Sequence, residues 1–326
     1  MIDIRLGGPL AATAAVTALT SPFIRERLHE SQKLDHPNER SSHQVPTPRG
    51  GGLACALGLV VGGVVGRCIG ASPSLVWSGS SALLGMVGWV DDLSSLDLAP
   101  RLGAQVFVGL VAGGRLGGPM GSSVGAVLVP CVVNAVNFMD GINGITGMTA
   151  AVWGLSMLSD HGLPDSVRLE GALTAGMGVG FLPFNVPDAS MFLGDVGSYL
   201  IGTGISVSVL EAFFHPGNKP GPVRLAALLP MLPYLADTGA TLILRGIRGE
   251  VIGEAHRDHF YQRLVRDGDL PHWVVSAGVA SASLGCVLMG RARGSVLGAV
   301  PVLACYLASP KVVARFRGMR RLLKST

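Results

Sequence analysis

Apolar runs long enough to cross a lipid bilayer recur from one end of this chain to the other, and no water-soluble fold accommodates so many of them. They predict helices over approximately residues 7–24, 51–70, 74–90, 102–114, 121–137, 145–159, 170–186, 196–214, 222–244, 272–289 and 294–309. The 102–114 segment is short and Gly-rich, which makes it the weakest of the set. Only 14% of the residues are charged, against roughly 25% in an ordinary soluble domain. The fold class that follows is all-α: a polytopic membrane protein with about ten or eleven transmembrane helices, one domain over residues 1–326. Asp3 and Arg5 make a weak leader region, so the first helix is expected to be retained as a span. Cys55, Cys68, Cys131, Cys286 and Cys305 lie in or beside apolar segments without metal-ligand spacing and read as small packing residues.

Parity then assigns the loops. Eleven crossings place 25–50, 91–101, 138–144, 187–195 and 245–271 on one side, together with the C-terminal tail. That side holds 17 of the 25 Lys and Arg residues, which makes it cytoplasmic and puts the N-terminus in the periplasm. The net charge of +4 therefore reports topology, and no nucleic-acid partner is implied.

The polar residues on this side are clustered. CVVNAVNFMDGINGITG, residues 131–147, spaces Asn134, Asn137, Asp140 and Asn143 by three, so Asn134 and Asn137 share one face of a helix end. Gly141, Gly144 and Gly147 loosen the backbone for close approach to a ligand. The plainer reading is a turn between two spans. The first loop, DHPNERSSHQVPTPRGGG, offers Asp35, Arg40, His43 and Arg49 ahead of three glycines, a setting that suits phosphate. Arg101 is the one cation of the next loop and joins Arg49 as a candidate substrate contact. Asp91 and Asp92 close an apolar run, where acids are costly without a partner. Such a pair suits Mg²⁺ or a proton-accepting role, and equally a solvated helix cap. In FLGDVGS, Asp195 stands at a helix start and Phe192 beside glycine. Capping and an interfacial aromatic are the simple readings, and stacking of Phe192 on a flat base is the sharper one. Finally, EAHRDH brings His256, Arg257 and His259 together, a combination that grips phosphate or sugar oxygens. No thiolate beside it suggests zinc.

In this order, DD, NxxNxxDGxNG, FxGDxGS and a His-rich loop resemble the polyprenyl-phosphate N-acetylhexosamine-1-phosphate transferase family, from Asp35 to about Leu264. The resemblance implies helices around a cytoplasmic cleft in the bacterial inner membrane. It implies transfer of a sugar 1-phosphate from a UDP-sugar to a polyprenyl phosphate, UMP release, and dependence on Mg²⁺, with Mn²⁺ as the alternative ion. A homodimer is compatible with it. Carried over by residue, Asp91 and Asp92 match the pair near the acceptor phosphate and metal. Asp195 matches the Mg²⁺ ligand, Asn137 its occasional companion, and Asp140 the acid of the same motif. Phe192 and the Gly141–Asn143 loop match the uracil pocket. His256, Arg257 and His259 match the loop reaching the donor's diphosphate and sugar, and His43 a first-loop histidine.

Two departures stand out. Position 143 is Asn where many members carry Asp, which suits hydrogen bonding to uracil better than acid–base work. HRDH replaces consecutive histidines, which argues against the peptidoglycan branch, while the RSSHQVPTPRGGG form of the first loop resembles members that initiate O-antigen or exopolysaccharide chains, some using 6-deoxy-HexNAc donors. A transporter with intramembrane acids is the reading of a different class. It predicts charges at mid-membrane and repeated halves, whereas these acids sit at helix ends on one face.

Overall fold

A computed structural model describes residues 4–37, 45–215, 222–251 and 256–325. The chain is an all-α membrane protein. Among the described residues eleven α-helices run α1 (Ile4–Glu30), α2 (Gly52–Cys68), α3 (Leu75–Ser94), α4 (Leu98–Met139), α5 (Ile145–Leu158), α6 (Asp165–Phe181), α7 (Gly194–Phe214), α8 (Leu232–Ile247), α9 (Phe260–Arg266), α10 (His272–Ala292) and α11 (Val300–Ser325). Among the described residues five stretches are long and apolar enough to cross a bilayer: Leu98–Met139, Gly194–Phe214, Ala226–Ile247, His272–Ala292 and Val296–Arg315. Among the described residues the sheet content is one ribbon, β1 (Leu34–Asp35) paired antiparallel with β2 (Thr47–Pro48).

Every segment predicted from hydropathy is helical, with boundary changes. The residues before α8 form a 3-10 turn over Pro222–Met231. The loop 245–271 carries the short helix α9. The loop 91–101 is reduced to the residues between Ser94 and Leu98. Cys55 and Cys286 are buried as expected, while Cys68, Cys131 and Cys305 face outward.

The weak 102–114 segment and the 121–137 segment after it are the two arms of one element. A straight helix of 42 residues would span about 63 Å, roughly twice the hydrocarbon thickness. Instead α4 folds back at Gly117 (φ −140°) and Gly118 (φ 61°), ahead of Pro119. Gly109 then meets Gly125, and Gly113 meets Gly121, so closely that a Cβ on Gly113 would lie 2.0 Å from the Gly121 carbonyl oxygen. The Ser122 hydroxyl donates to the Leu110 carbonyl at 3.0 Å, and Asn134 Nδ2 to Gln105 Oε1 at 2.6 Å. The 102–114 segment is Gly-rich because two backbones touch there, as small residues allow in membrane helix pairs.

At the centre stands α7, buried on every face from Gly194 to Ala212. A helix apolar all round belongs inside a bundle. It packs most extensively on α3 and α4, while α1 lies against α2 and α6, and α5 against α6 and α10. Gly88 of α3 abuts the Asp195 backbone, and Gly52 of α2 abuts Gly197. These crossings fix the start of α7 against the ends of α2 and α3.

Gly113→Leu should lower stability by about 1–3 kcal/mol, the usual cost of overpacking, read as a lower unfolding temperature in detergent. Gly103→Leu, at a position with open space around its Cα, should leave it unchanged.

Candidate active site

The first-loop glycines and the FLGD motif are joined by backbone. Phe192 N–H donates to the Pro48 carbonyl at 2.8 Å, Gly51 N–H to the Phe192 carbonyl at 2.9 Å, and Gly52 N–H to the Leu193 carbonyl at 2.8 Å. Gly194 turns with φ +75°, and a Cβ there would lie 2.6 Å from Asp92 Oδ2. The sharp turn sends the next residue, Asp195, into the first turn of α7.

A charged cluster forms around that turn. Arg49 donates through Nε to Asp92 Oδ1 (3.0 Å) and through Nη2 to Asp195 Oδ1 (2.8 Å). Asp92 also caps α7, accepting from Asp195 N–H at 2.9 Å and Val196 N–H at 3.0 Å. An anionic group suits this position because the first helical amides lack partners and carry partial positive charge. Asp91, 4% exposed, accepts from Leu96 N–H (2.8 Å) and from Arg101 Nη1 (3.0 Å). Asn137 Nδ2 reaches Asp195 Oδ1 at 2.8 Å and Ser198 Oγ at 3.1 Å. Asp140 closes the far end of α4, half-buried; burial, with the Asp195 charge adding to it, pushes its carboxyl up to about 6.

Four carboxylates against two guanidiniums leave about two negative charges, the deficit a divalent cation neutralises. Among the described residues no group of three or more His, Cys, Asp or Glu is drawn together as a metal site. That is compatible with Mg²⁺, which usually takes one or two protein carboxylates and completes its shell with water and substrate phosphate. Asn137 presents nitrogen, not oxygen, to Asp195, so here it orients the carboxylate.

A cleft of about 530 Å³ lies beside the cluster, lined by Thr47, Asn143, Asp188, Phe192, His272 and Trp273 among others. Asn143 Nδ2 donates to the Pro187 carbonyl at 2.9 Å, and the Asn143 carbonyl accepts from Ser276 Oγ at 2.8 Å. The predicted pair Asn143 and Phe192 thus share one cavity. His272 and Trp273 begin α10, and hydropathy alone marks them only as the start of a span.

The His-rich loop folds against the end of α4. Tyr261 Oη donates to the Phe138 carbonyl at 3.0 Å, and the Phe138 and His259 rings lie 6.3 Å apart. His256 and Arg257 are half-buried. His256 Nδ1 accepts from Asp258 N–H at 3.4 Å, and burial, then His259 and Arg245, hold its imidazole below the usual histidine range. His259 is only 3% exposed, held through Nδ1 by Asp237 at 2.9 Å. Asn134 is turned away, donating to Gln105 and to the Pro130 carbonyl within the α4 hairpin. His43 lies outside the described residues.

The family model for glycosyl transferase family 4 matches residues 74–212. A decaprenyl-phosphate N-acetylglucosaminephosphotransferase of Mycobacterium tuberculosis is 31% identical over 302 residues, covering 78% of this chain and 74% of the relative. An undecaprenyl-phosphate alpha-N-acetylglucosaminyl 1-phosphate transferase of Thermotoga maritima is 28% identical over 206 residues, 61% of this chain and 62% of the relative. A phospho-N-acetylmuramoyl-pentapeptide-transferase of Rhodopseudomonas palustris is 30% identical over 276 residues, 66% of this chain and 74% of the relative.

Asp92→Ala should destabilise the fold by about 2 kcal/mol, because it strips a cap and leaves two amides and the Arg49 Nε without their acceptor. Asp92→Asn, which keeps one acceptor oxygen, should cost less. Detergent unfolding temperatures of the two variants check the order.

Proposed function

The chain belongs to glycosyl transferase family 4, and we propose that it transfers an N-acetylhexosamine 1-phosphate from a UDP-sugar to a polyprenyl phosphate with release of UMP, the step that initiates a cell-envelope glycan. One observation carries this reading. The four residues Phe192–Asp195 put an aromatic ring into the cleft and a carboxylate into the charged cluster. A nucleotide-sugar has the matching anatomy, with a flat base at one end and a diphosphate at the other.

Phe192 stacks on uracil. Asn143 has committed an amide hydrogen to Pro187, so its Oδ1 accepts from the base. Since His256 Nδ1 accepts a backbone amide, the neutral ring carries its proton on Nε2 and donates, with Arg257, to the diphosphate and sugar. Arg49 and Arg101 neutralise phosphate. A bound Mg²⁺ would be held by Asp195, with water and substrate phosphate completing its shell, and would supply further charge neutralisation.

The acceptor needs little activation, since a phosphate monoester has a second pKa near 6. Its oxygen bonds to the donor's β-phosphorus, the α–β anhydride bond breaks, and UMP leaves. Positioning and electrostatics supply most of the rate in such transfers. Asp140 takes the acceptor's remaining proton. Asp91 and Asp92 have both oxygens engaged by donors, so they act by positioning Arg101, Arg49 and the start of α7.

The 17 of 25 cationic residues on the site's side support a cytoplasmic face in a bacterial inner membrane, with the N-terminus periplasmic and the C-terminus cytoplasmic. The HRDH sequence supports a plain N-acetylhexosamine donor over the muramoyl-pentapeptide one.

Purified protein given UDP-GlcNAc, polyprenyl phosphate and Mg²⁺ should release UMP, with at least a tenfold lower rate on UDP-MurNAc-pentapeptide, and EDTA should stop it. UMP from the pentapeptide donor alone would assign the chain to the peptidoglycan reaction. Release from neither of these nor from other UDP-N-acetylhexosamines would reject the transferase reading.

A further inference from the structure

One buried carboxylate plays no part in the reaction above. Asp237 lies in α8 at 0% exposure. An acid there is costly unless its lone pairs are satisfied. They are, by donors from two other helices, α9 with its cap and α11, and one from its own. Oδ1 faces His259 Nδ1 at 2.9 Å and accepts from Phe260 N–H at 3.1 Å and Thr241 Oγ1 at 3.3 Å. Oδ2 accepts from Tyr261 N–H at 3.2 Å and Tyr306 Oη at 2.5 Å. A carboxylate offers about four lone-pair sites. These donors fill them and leave no place for a proton on Asp237, so the proton shared with the imidazole belongs on His259 Nδ1.

We propose that Asp237 is a positioning residue for sugar-phosphate transfer: it fixes the tautomer and orientation of His259, and through it the loop that carries His256 and Arg257. With Nδ1 protonated, Nε2 is the nitrogen through which His259 accepts. The His259 ring lies 4.9 Å from His256 at 31° and 5.7 Å from Tyr261 at 26°, so its orientation sets the His256 imidazole beside it. The same carboxylate caps α9 through Phe260 and Tyr261, and Tyr261 in turn donates to the Phe138 carbonyl, two residues before Asp140. Asp237 therefore holds the His-rich loop in register with the end of α4. Tyr306 extends this hold to α11, which connects the last helix to the donor side of the site.

The inference rests on the transferase reading. Its test is a double-mutant cycle in purified protein with UDP-GlcNAc and polyprenyl phosphate. Asp237→Asn keeps the shape and removes an acceptor. It should lower kcat/KM for the donor about 10- to 100-fold, as loss of the group orienting a functional histidine typically does, with KM for the lipid within about twofold. His259→Gln should fall to a similar level, and the double variant should be no worse than His259→Gln alone, because one residue acts through the other. Tyr306→Phe removes a single donor and tests the same link without a buried charge change. It should lower donor kcat/KM about threefold or more while the lipid KM stays put. Losses that multiply in the double variant, or single variants with wild-type donor kinetics, would overturn the proposal while leaving the transferase reading intact. A wild-type protein that releases no UMP would overturn both.

Discussion

A single guanidinium joins three separate parts of this chain. Arg49 follows the β-ribbon, Asp92 ends α3 and Asp195 begins α7, and the two ion pairs at 3.0 and 2.8 Å draw them together. Asp92 and Asp195 are nearly buried while Arg49 remains 41% exposed, so the carboxylates are fixed and the cation is open to an incoming phosphate. The pairing also settles a conflict. Four acids at one end of an apolar bundle repel one another, yet anionic substrates need positive charge. Arg49 and Arg101 hold the acids in place, and the remaining negative charge is of the size a divalent ion carries.

The bundle is built to keep this geometry stiff. The start of α7 is set by backbone, not by long side chains. Gly52 lies on Gly197, Gly88 on the Asp195 carbonyl, and Phe192–Leu193 pair with the first-loop glycines. Close backbone approach leaves little room for drift, which matters where positioning supplies most of the rate. At the other end of α3, Glu170 of α6 accepts from Ser74 N–H at 3.1 Å and Ser208 Oγ at 2.6 Å. Both ends of α3 are therefore fastened by a carboxylate to a backbone amide, Asp92 to the first turn of α7 and Glu170 to the first residue before α3.

Hydropathy revealed the segments because a bilayer demands long apolar helices and leaves the signal unmixed. It located Asp195 at a helix start, and the family resemblance put Asn143 and Phe192 in one pocket, because loop motifs keep their chemistry in a short run of residues. Three features were not legible. The fold-back at Gly117–Gly118 looked like a weak span, since Gly-rich sequence lowers hydropathy while it permits close packing. His272 and Trp273 join the cleft only through the placement of α10 beside the Asn143 loop. Asp237 was a lone acid inside an apolar run, and its partners Tyr306 and His259 lie 69 and 22 residues away. Conversely, Asp92 was legible as a residue and ambiguous in role. Metal ligand and helix cap ask for the same side chain, and the α7 amides show which donors it serves.

In the proposed reaction both substrates meet on one surface, with the cleft holding the base and the Arg49 cluster holding the phosphates. Initial rates of UMP release over a grid of donor and lipid concentrations test this most directly. Direct attack in a ternary complex predicts double-reciprocal lines that intersect. Parallel lines, together with UMP release in the absence of lipid, would contradict it and place a covalent sugar-phosphate on an aspartate of the protein.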